Sequence, residues 1–147
     1  MAFDGTSDYS LDAKNRLTVP ARFRAQLADG VVLAKSTEPC VALWPREGYE
    51  GYRRQALEGV HPMSQQATKI KRFFAANSHP TDLDSAGRVM VPPFLMDHAN
   101  LGKEVTVIGA DDHLEVWDRK AWIAYNDTLT EDILAISRSF DDAGPGA

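Results

Sequence analysis

Four short runs rich in β-branched residues stand out along the chain: "VVLAK" (31–35) and "VALW" (41–44), then "VTVIG" (105–109) and "LEVW" (114–117). Each is too short for a helix and is bounded by polar or turn-forming residues, so each predicts a strand. Ahead of each pair, "YSLDAKNRLTVP" (9–20) and "LDSAGRVMVP" (83–92) alternate apolar and polar positions around a polar centre, as half-buried hairpins do. Behind each pair the period lengthens to that of a helix. One helix is expected to start near Pro45, which suits a first helical turn, and another near Asp118, a good N-cap. Between them "EGVHPMS" has turn chemistry, and Ser64 is placed to cap "QQATKIKRFFAAN". There Ala67, Ile70, Phe74 and Asn77 follow helical spacing, and Pro62 and Pro80 bracket the segment. A final helix after Thr130 would set Ile133, Ile136 and Phe140 on one face, with "DDAGPGA" as a frayed tail.

The two halves repeat each other. At an offset of 72, Leu11, Asp12, Arg16, Val19 and Pro20 match Leu83, Asp84, Arg88, Val91 and Pro92. At an offset of 73, Trp44, Arg46 and Tyr52 match Trp117, Arg119 and Tyr125, with Tyr49 over Trp122. The resulting map is a first repeat over 1–60, a linking helix within 61–80, a second repeat over 81–128, and a C-terminal helix and tail over 129–147. Repeats of this size bury little surface alone, so the pair is expected to share one core.

In that hairpin register Leu11 faces Leu17, Tyr9 faces Val19 and Leu83 faces Val89. Asp12 and Arg16 then end a three-residue loop, Ala13, Lys14 and Asn15, and Asp84 and Arg88 end its twin. In such a loop a type I turn is followed by a left-handed residue, and Asn15 and Gly87 fall where positive φ is needed. The aspartate can accept backbone N–H groups of the turn or hold its arginine. An exposed ion pair contributes only about 0–1 kcal/mol, whereas an arginine forked onto guanine O6 and N7 supplies about 1–3 kcal/mol of discrimination. Two uses are therefore open for Arg16 and Arg88: reading a base edge, or stapling the turn or a subunit contact. Pro20 and Pro92 end the second strand of each hairpin, and "ARFRAQLA" and "PFLMDHAN" read as short helices, the first presenting Arg22 beside Gln26. Arg22 suits a phosphate contact, and Arg24 suits an ion pair between subunits.

Composition changes the picture in one respect. With 44% hydrophobic and 25% charged residues the chain is of ordinary globular type, and no apolar run reaches the roughly eighteen residues of a membrane span. The start lacks a basic segment followed by an apolar one, so a cytoplasmic location is expected. Cys40, the single cysteine, reads as a buried small hydrophobe. The net charge of −5 opposes nucleic acid at first sight, but residues 1–80 carry 11 Lys/Arg against 8 Asp/Glu, whereas residues 81–147 carry 5 against 13. From Ala13 to Ala28 there are Lys14, Arg16, Arg22 and Arg24 and no acid.

Catalytic patterns are absent from the sequence. His61, His79, His98 and His113 have no HxxxH or CxxC partner, and no G-x-S-x-G, GxxxxGK[ST] or GxGxxG motif occurs. Asp111 and Asp112 read as turn residues, and Trp44, Trp117 and Trp122 as core aromatics. No enzyme activity, cofactor, metal or small-molecule ligand is expected.

On "FDGTSDYSLDAKNRLTVPARFR", the second "LDSAGRVMVP", "EVWDRKAWIAY" and "RFFAANSHPTDLD", the chain resembles the MraZ family of bacterial proteins over most of residues 3–126. The resemblance implies an α+β fold of tandem swapped-hairpin, AbrB-like β-barrel halves with flanking helices. It also implies assembly of subunits into a ring, and binding of double-stranded DNA at short G-rich direct repeats. Such a protein, nucleoid-associated, would chiefly repress its own operon of division and cell-wall genes. The family's D-x-x-x-R motifs fall on Asp12 with Arg16 and Asp84 with Arg88, with Lys14 as the basic loop residue. Asn15 stands in place of the usual Gly, Ala86 brings no charge to the second loop, and Met96 stands where an Arg often follows. Two other uses of the fold compete: an antitoxin-like protein that masks a protein partner, and a ring-forming scaffold with incidental DNA affinity.

Overall fold

The computed structural model describes residues 2–143, which form eight strands, four α-helices and two 3-10 turns in an α+β arrangement. β3 (Val31–Lys35) pairs antiparallel with β4 (Val41–Pro45), and β7 (Glu104–Gly109) with β8 (Leu114–Asp118). The two pairs join through β4 and β8, where Ala42 lies opposite Glu115. β1 (Thr6–Ser10) extends one edge by pairing with β7, and β5 (Ser78–Thr81) extends the other by pairing with β3. The order β1-β7-β8-β4-β3-β5 maps onto itself when the halves are exchanged, as expected for a duplicated chain.

The hairpins are swapped, and this corrects the strand pairing read from the alternation. Tyr9 lies opposite Val105 rather than Val19, and Leu17 lies opposite Val89 rather than Leu11. β2 (Arg16–Thr18) and β6 (Arg88–Met90), one from each half, form their own two-stranded antiparallel ribbon. Each turn reverses the chain, but its two arms find partners in the other half. The consequence is one shared core: Leu11, Leu17, Val19, Val31, Leu33 and Leu43 pack with Val89, Val91, Leu95, Val105, Leu114 and Val116. Burying each such side chain stabilises by about 1.5–3 kcal/mol, so one merged core retains what two half-sized cores would expose. The strands form a six-stranded and a two-stranded sheet, and no ladder closes into a barrel among the described residues.

α1 (Arg46–Ala56) starts directly after Pro45. α2 (Gln65–Ala76) is capped by Ser64, whose Oγ accepts the Ala67 N–H at 3.1 Å. α3 (Pro93–Ala99) ends on left-handed Asn100. "ARFRAQLA" forms two 3-10 turns, Ala21–Phe23 and Ala25–Leu27, rather than an α-helix, and they bury Phe23 and Leu27. α4 (Arg119–Ala143) is one helix where the pattern had suggested two. Asp118 caps it, accepting the Ala121 N–H at 3.1 Å, and no Gly or Pro interrupts it. Residues 144–147, most of the expected tail, lie outside the described residues.

The outer sheet face carries two aromatic clusters, Trp44 with Tyr49 and Phe74, and Trp117 with Trp122 and Tyr125. Cys40 is buried beside Trp117, and burial pushes its thiol up to about 12. Asp111 occupies the left-handed region between β7 and β8. Among the described residues no helix is long and apolar enough to cross a membrane, and no His/Cys/Asp/Glu group is placed to hold a metal.

Candidate nucleic-acid interface

The two loops are built alike, atom for atom. In the first, Asp12 Oδ1 accepts the N–H groups of Lys14 at 2.9 Å and Arg16 at 2.8 Å, while Oδ2 holds Arg16 Nε at 2.6 Å. The backbone closes the turn, Asp12 N–H to Arg16 carbonyl at 3.1 Å and Asn15 N–H to Asp12 carbonyl at 3.0 Å. In the second, Asp84 Oδ1 accepts from Ala86 at 3.0 Å and Arg88 at 2.8 Å, and Oδ2 holds Arg88 Nε at 2.9 Å. Asn15 and Gly87 have φ of 58° and 74°, the left-handed positions the turn requires. Each aspartate thus spends its oxygens on the turn and on the inner edge of a guanidinium. The Arg16 backbone N–H above all, then its side chain and the Lys14 N–H, hold the Asp12 carboxyl down to about 2. Asp84 is lowered for the same reasons, the Arg88 backbone first.

This leaves the outer, Nη edge of both guanidiniums without a hydrogen-bond partner among the described residues, and both side chains are about one-third exposed. An oriented arginine with a free two-donor edge can engage two acceptors at once. The ribbon places the two arginines together. Arg16 lies opposite Met90 and Thr18 opposite Arg88, so both arginines lie on the exposed face, while Leu17 and Val89 are buried beneath it. Diagonal neighbours on such a ribbon are about 7–8 Å apart. The turns cross-link reciprocally: the Val19 N–H donates to the Gly87 carbonyl and the Val91 N–H to the Asn15 carbonyl, both at 2.9 Å.

Beyond the ribbon the halves differ. Lys103 Nζ donates to the Asp12 carbonyl at 2.9 Å and to Asn15 Oδ1 at 2.8 Å, clamping the first tip. The second tip is covered by Arg24, which donates from Nε to the Val19 carbonyl at 3.1 Å and lies across Gly87. Arg24 is therefore a packing residue within the chain. Lys14 stands exposed on the first tip. Arg22 sits on the first 3-10 turn. It reaches the Asp4 carbonyl at 3.5 Å and lies over the Phe23 ring at 4.5 Å. The sequence reading passed over Lys103; the signal was Asn15, whose side-chain oxygen at a left-handed position wants a donor.

The family model described as "MraZ protein, putative antitoxin-like" matches the chain twice, over residues 2–73 and 74–141. The chain belongs to the MraZ family. Proteins named Transcriptional regulator MraZ from several bacteria align along nearly its whole length. That of Paenarthrobacter aurescens is 39% identical over 98% of this chain and 98% of its own. That of Mycoplasmoides gallisepticum is 34% identical over 95% and 98%. That of Salinispora arenicola is 40% identical over 84% and 86%. MraZ is thus a family of transcriptional regulators and not of enzymes. The two MraZ matches meet between Phe73 and Phe74 inside α2, so each match takes one swapped loop and one pair of central strands.

Proposed function

We propose that this chain is a sequence-specific DNA-binding transcriptional regulator that reads duplex DNA with the β2–β6 ribbon. The observation that carries the reading is the free Nη edge of Arg16, oriented by Asp12 on a ribbon whose underside is locked into the core. A major groove about 12 Å wide admits a two-stranded ribbon, and guanine O6 and N7 accept a two-donor arginine edge. Arg16 is the principal base reader. Arg88 is a second, weaker reader, because its tip carries Ala86 where the first carries Lys14. Lys14 and Arg22 contact phosphates, and Asp12, Asn15, Asp84 and Gly87 support the tips.

One ribbon offers few contacts, and the chain as a whole is acidic. Several ribbons on one assembly overcome this through effective concentration, provided their spacing matches repeated sites. The proposed form is a homo-oligomeric ring on short G-rich direct repeats upstream of the chain's own division and cell-wall operon, which it represses from a nucleoid-associated position in the cytoplasm. A footprint of the purified protein on the DNA just upstream of its gene tests this. Protection at evenly spaced G-rich repeats is expected; uniform, sequence-independent protection would leave only a scaffold with incidental affinity.

A further inference from the structure

The exposed face of the β2–β6 ribbon holds one apolar side chain for which neither the turns nor the core has a use. Side chains alternate along each strand, so Arg16 and Thr18 share this face with Arg88 and Met90, above buried Leu17 and Val89. The Val91 and Val19 N–H bonds to the Asn15 and Gly87 carbonyls lie just outside the Arg16–Met90 and Thr18–Arg88 pairs. Both are therefore non-hydrogen-bonded pairs, the kind whose side chains stand closest, with β-carbons about 4.5–5.5 Å apart. Met90 thus stands directly across from Arg16. It is 50% exposed, although a thioether chain gains nothing from water.

The duplication isolates this residue. Thr18 holds the matching position in the first half and Arg16 matches Arg88, so on the exposed face the two strands differ only at Thr18 and Met90. A ribbon with two equal ends would suit a two-fold symmetric site. Here one end pairs its arginine with a long apolar side chain, and the other pairs its arginine with a short hydroxyl-bearing one. The ends are chemically distinct. In the major groove guanine presents its O6 and N7 acceptors, and thymine presents an apolar group, its C5-methyl.

We infer that Met90 reads the C5-methyl of a thymine next to the guanine engaged by Arg16, and so fixes the direction in which the ribbon lies on its site. The unbranched thioether is adaptable enough to follow the groove floor while Asp12 keeps the guanidinium in place. This rests on the proposed reading of DNA by the ribbon and adds a second base to it.

The test uses the promoter fragment protected in the footprint, titrated with the full-length protein at fixed moderate salt. Replacing single guanines by 7-deazaguanine removes N7, and replacing single thymines by deoxyuridine removes only the C5-methyl. The guanine under Arg16 is the one whose replacement weakens wild-type binding and leaves the residual binding of Arg16→Ala unchanged. At a thymine in an adjacent base pair, deoxyuridine is expected to weaken wild-type binding about fourfold, as for one methyl group removed from an apolar contact. The same replacement is expected to leave Met90→Ala unaffected. Met90→Ala itself should bind the unmodified site at least fourfold more weakly and sediment as the wild type does. If no guanine gives the Arg16-dependent loss, the ribbon reading fails and this inference with it. If such a guanine exists but no adjacent thymine responds, or Met90→Ala keeps the full deoxyuridine loss, the inference alone is overturned. Altered sedimentation of Met90→Ala would place the residue between copies and overturn it as well.

Discussion

The Arg24 side chain lies directly across Gly87, so that a β-carbon at position 87 would collide with its guanidinium. Gly87 also has φ of 74°, which a branched or bulky residue adopts only under strain. Gly87→Ala therefore meets two penalties at once, positive φ and a displaced arginine. It is expected to lower stability by about 1–3 kcal/mol in denaturant unfolding. Gly87→Ala should cost less in an Arg24→Ala background than in the wild type, because there the collision is gone and Gly87→Ala adds only the backbone strain.

Asp12 gives the first tip a pH signature. Its carboxyl is held down to about 2 in the folded chain, against an ordinary value of 3.8. A depressed folded value means stabilisation that is fully present above the unfolded value and is lost as pH falls through the folded one. Asp12→Asn should thus be less stable than wild type at neutral pH, and the gap should close between about pH 4 and pH 2. Equal pH profiles for the two proteins would contradict the bonding seen at this turn.

His113 makes the opposite prediction. Burial alone would push its value down, but hydrogen bonds to Glu115 and Asp112 outweigh burial and raise it, while the ring stacks on Trp44 at 4.3 Å. A raised folded value stabilises fully below the unfolded value near 6.5 and loses that effect as pH rises through the folded value. Glu115 is lowered: burial raises it, and its bonds to His113 and Trp117 overcome that. His113→Gln should therefore cost most stability around pH 5–6 and progressively less in alkaline solution, read from thermal melts across that range.

Lys14 is expected to act through charge alone. It stands exposed on the first tip, and its backbone rather than its side chain holds the turn. Lys14→Ala should weaken DNA binding to all sequences alike and reduce the slope of log affinity against log salt by about 1. A change in sequence preference would instead place Lys14 on a base.

How much of this was legible in advance follows from the range of each interaction. The Asp–Arg turns obey rules that act within five residues, so the left-handed Asn15 and Gly87 could be read directly from the chain. Strand partners could not. Alternation says that Leu17 faces inward, but Leu11 and Val89 satisfy that equally, and only packing of the whole chain selects Val89. The clamp by Lys103 was hidden for the same reason, since it reaches Asn15 across a separation of 88 residues. The single α4 was misread as two helices because the apolar pattern weakens around Asn126–Thr128, although nothing there breaks a helix. The ribbon that sets Arg16 and Arg88 on one face is itself a product of the swap, so their proximity became visible only with the fold.

The most direct measurement is operator binding by Arg16→Ala, in a gel-shift titration at fixed moderate salt alongside a sedimentation run on the same sample. The side chain makes one ion pair, with Asp12, and its outer edge bonds nothing else among the described residues, so fold and assembly should survive its removal. Loss of specific binding with unchanged sedimentation is the expected result. Undiminished affinity and preference for the proposed G-rich repeats would show that the ribbon does not read DNA through Arg16.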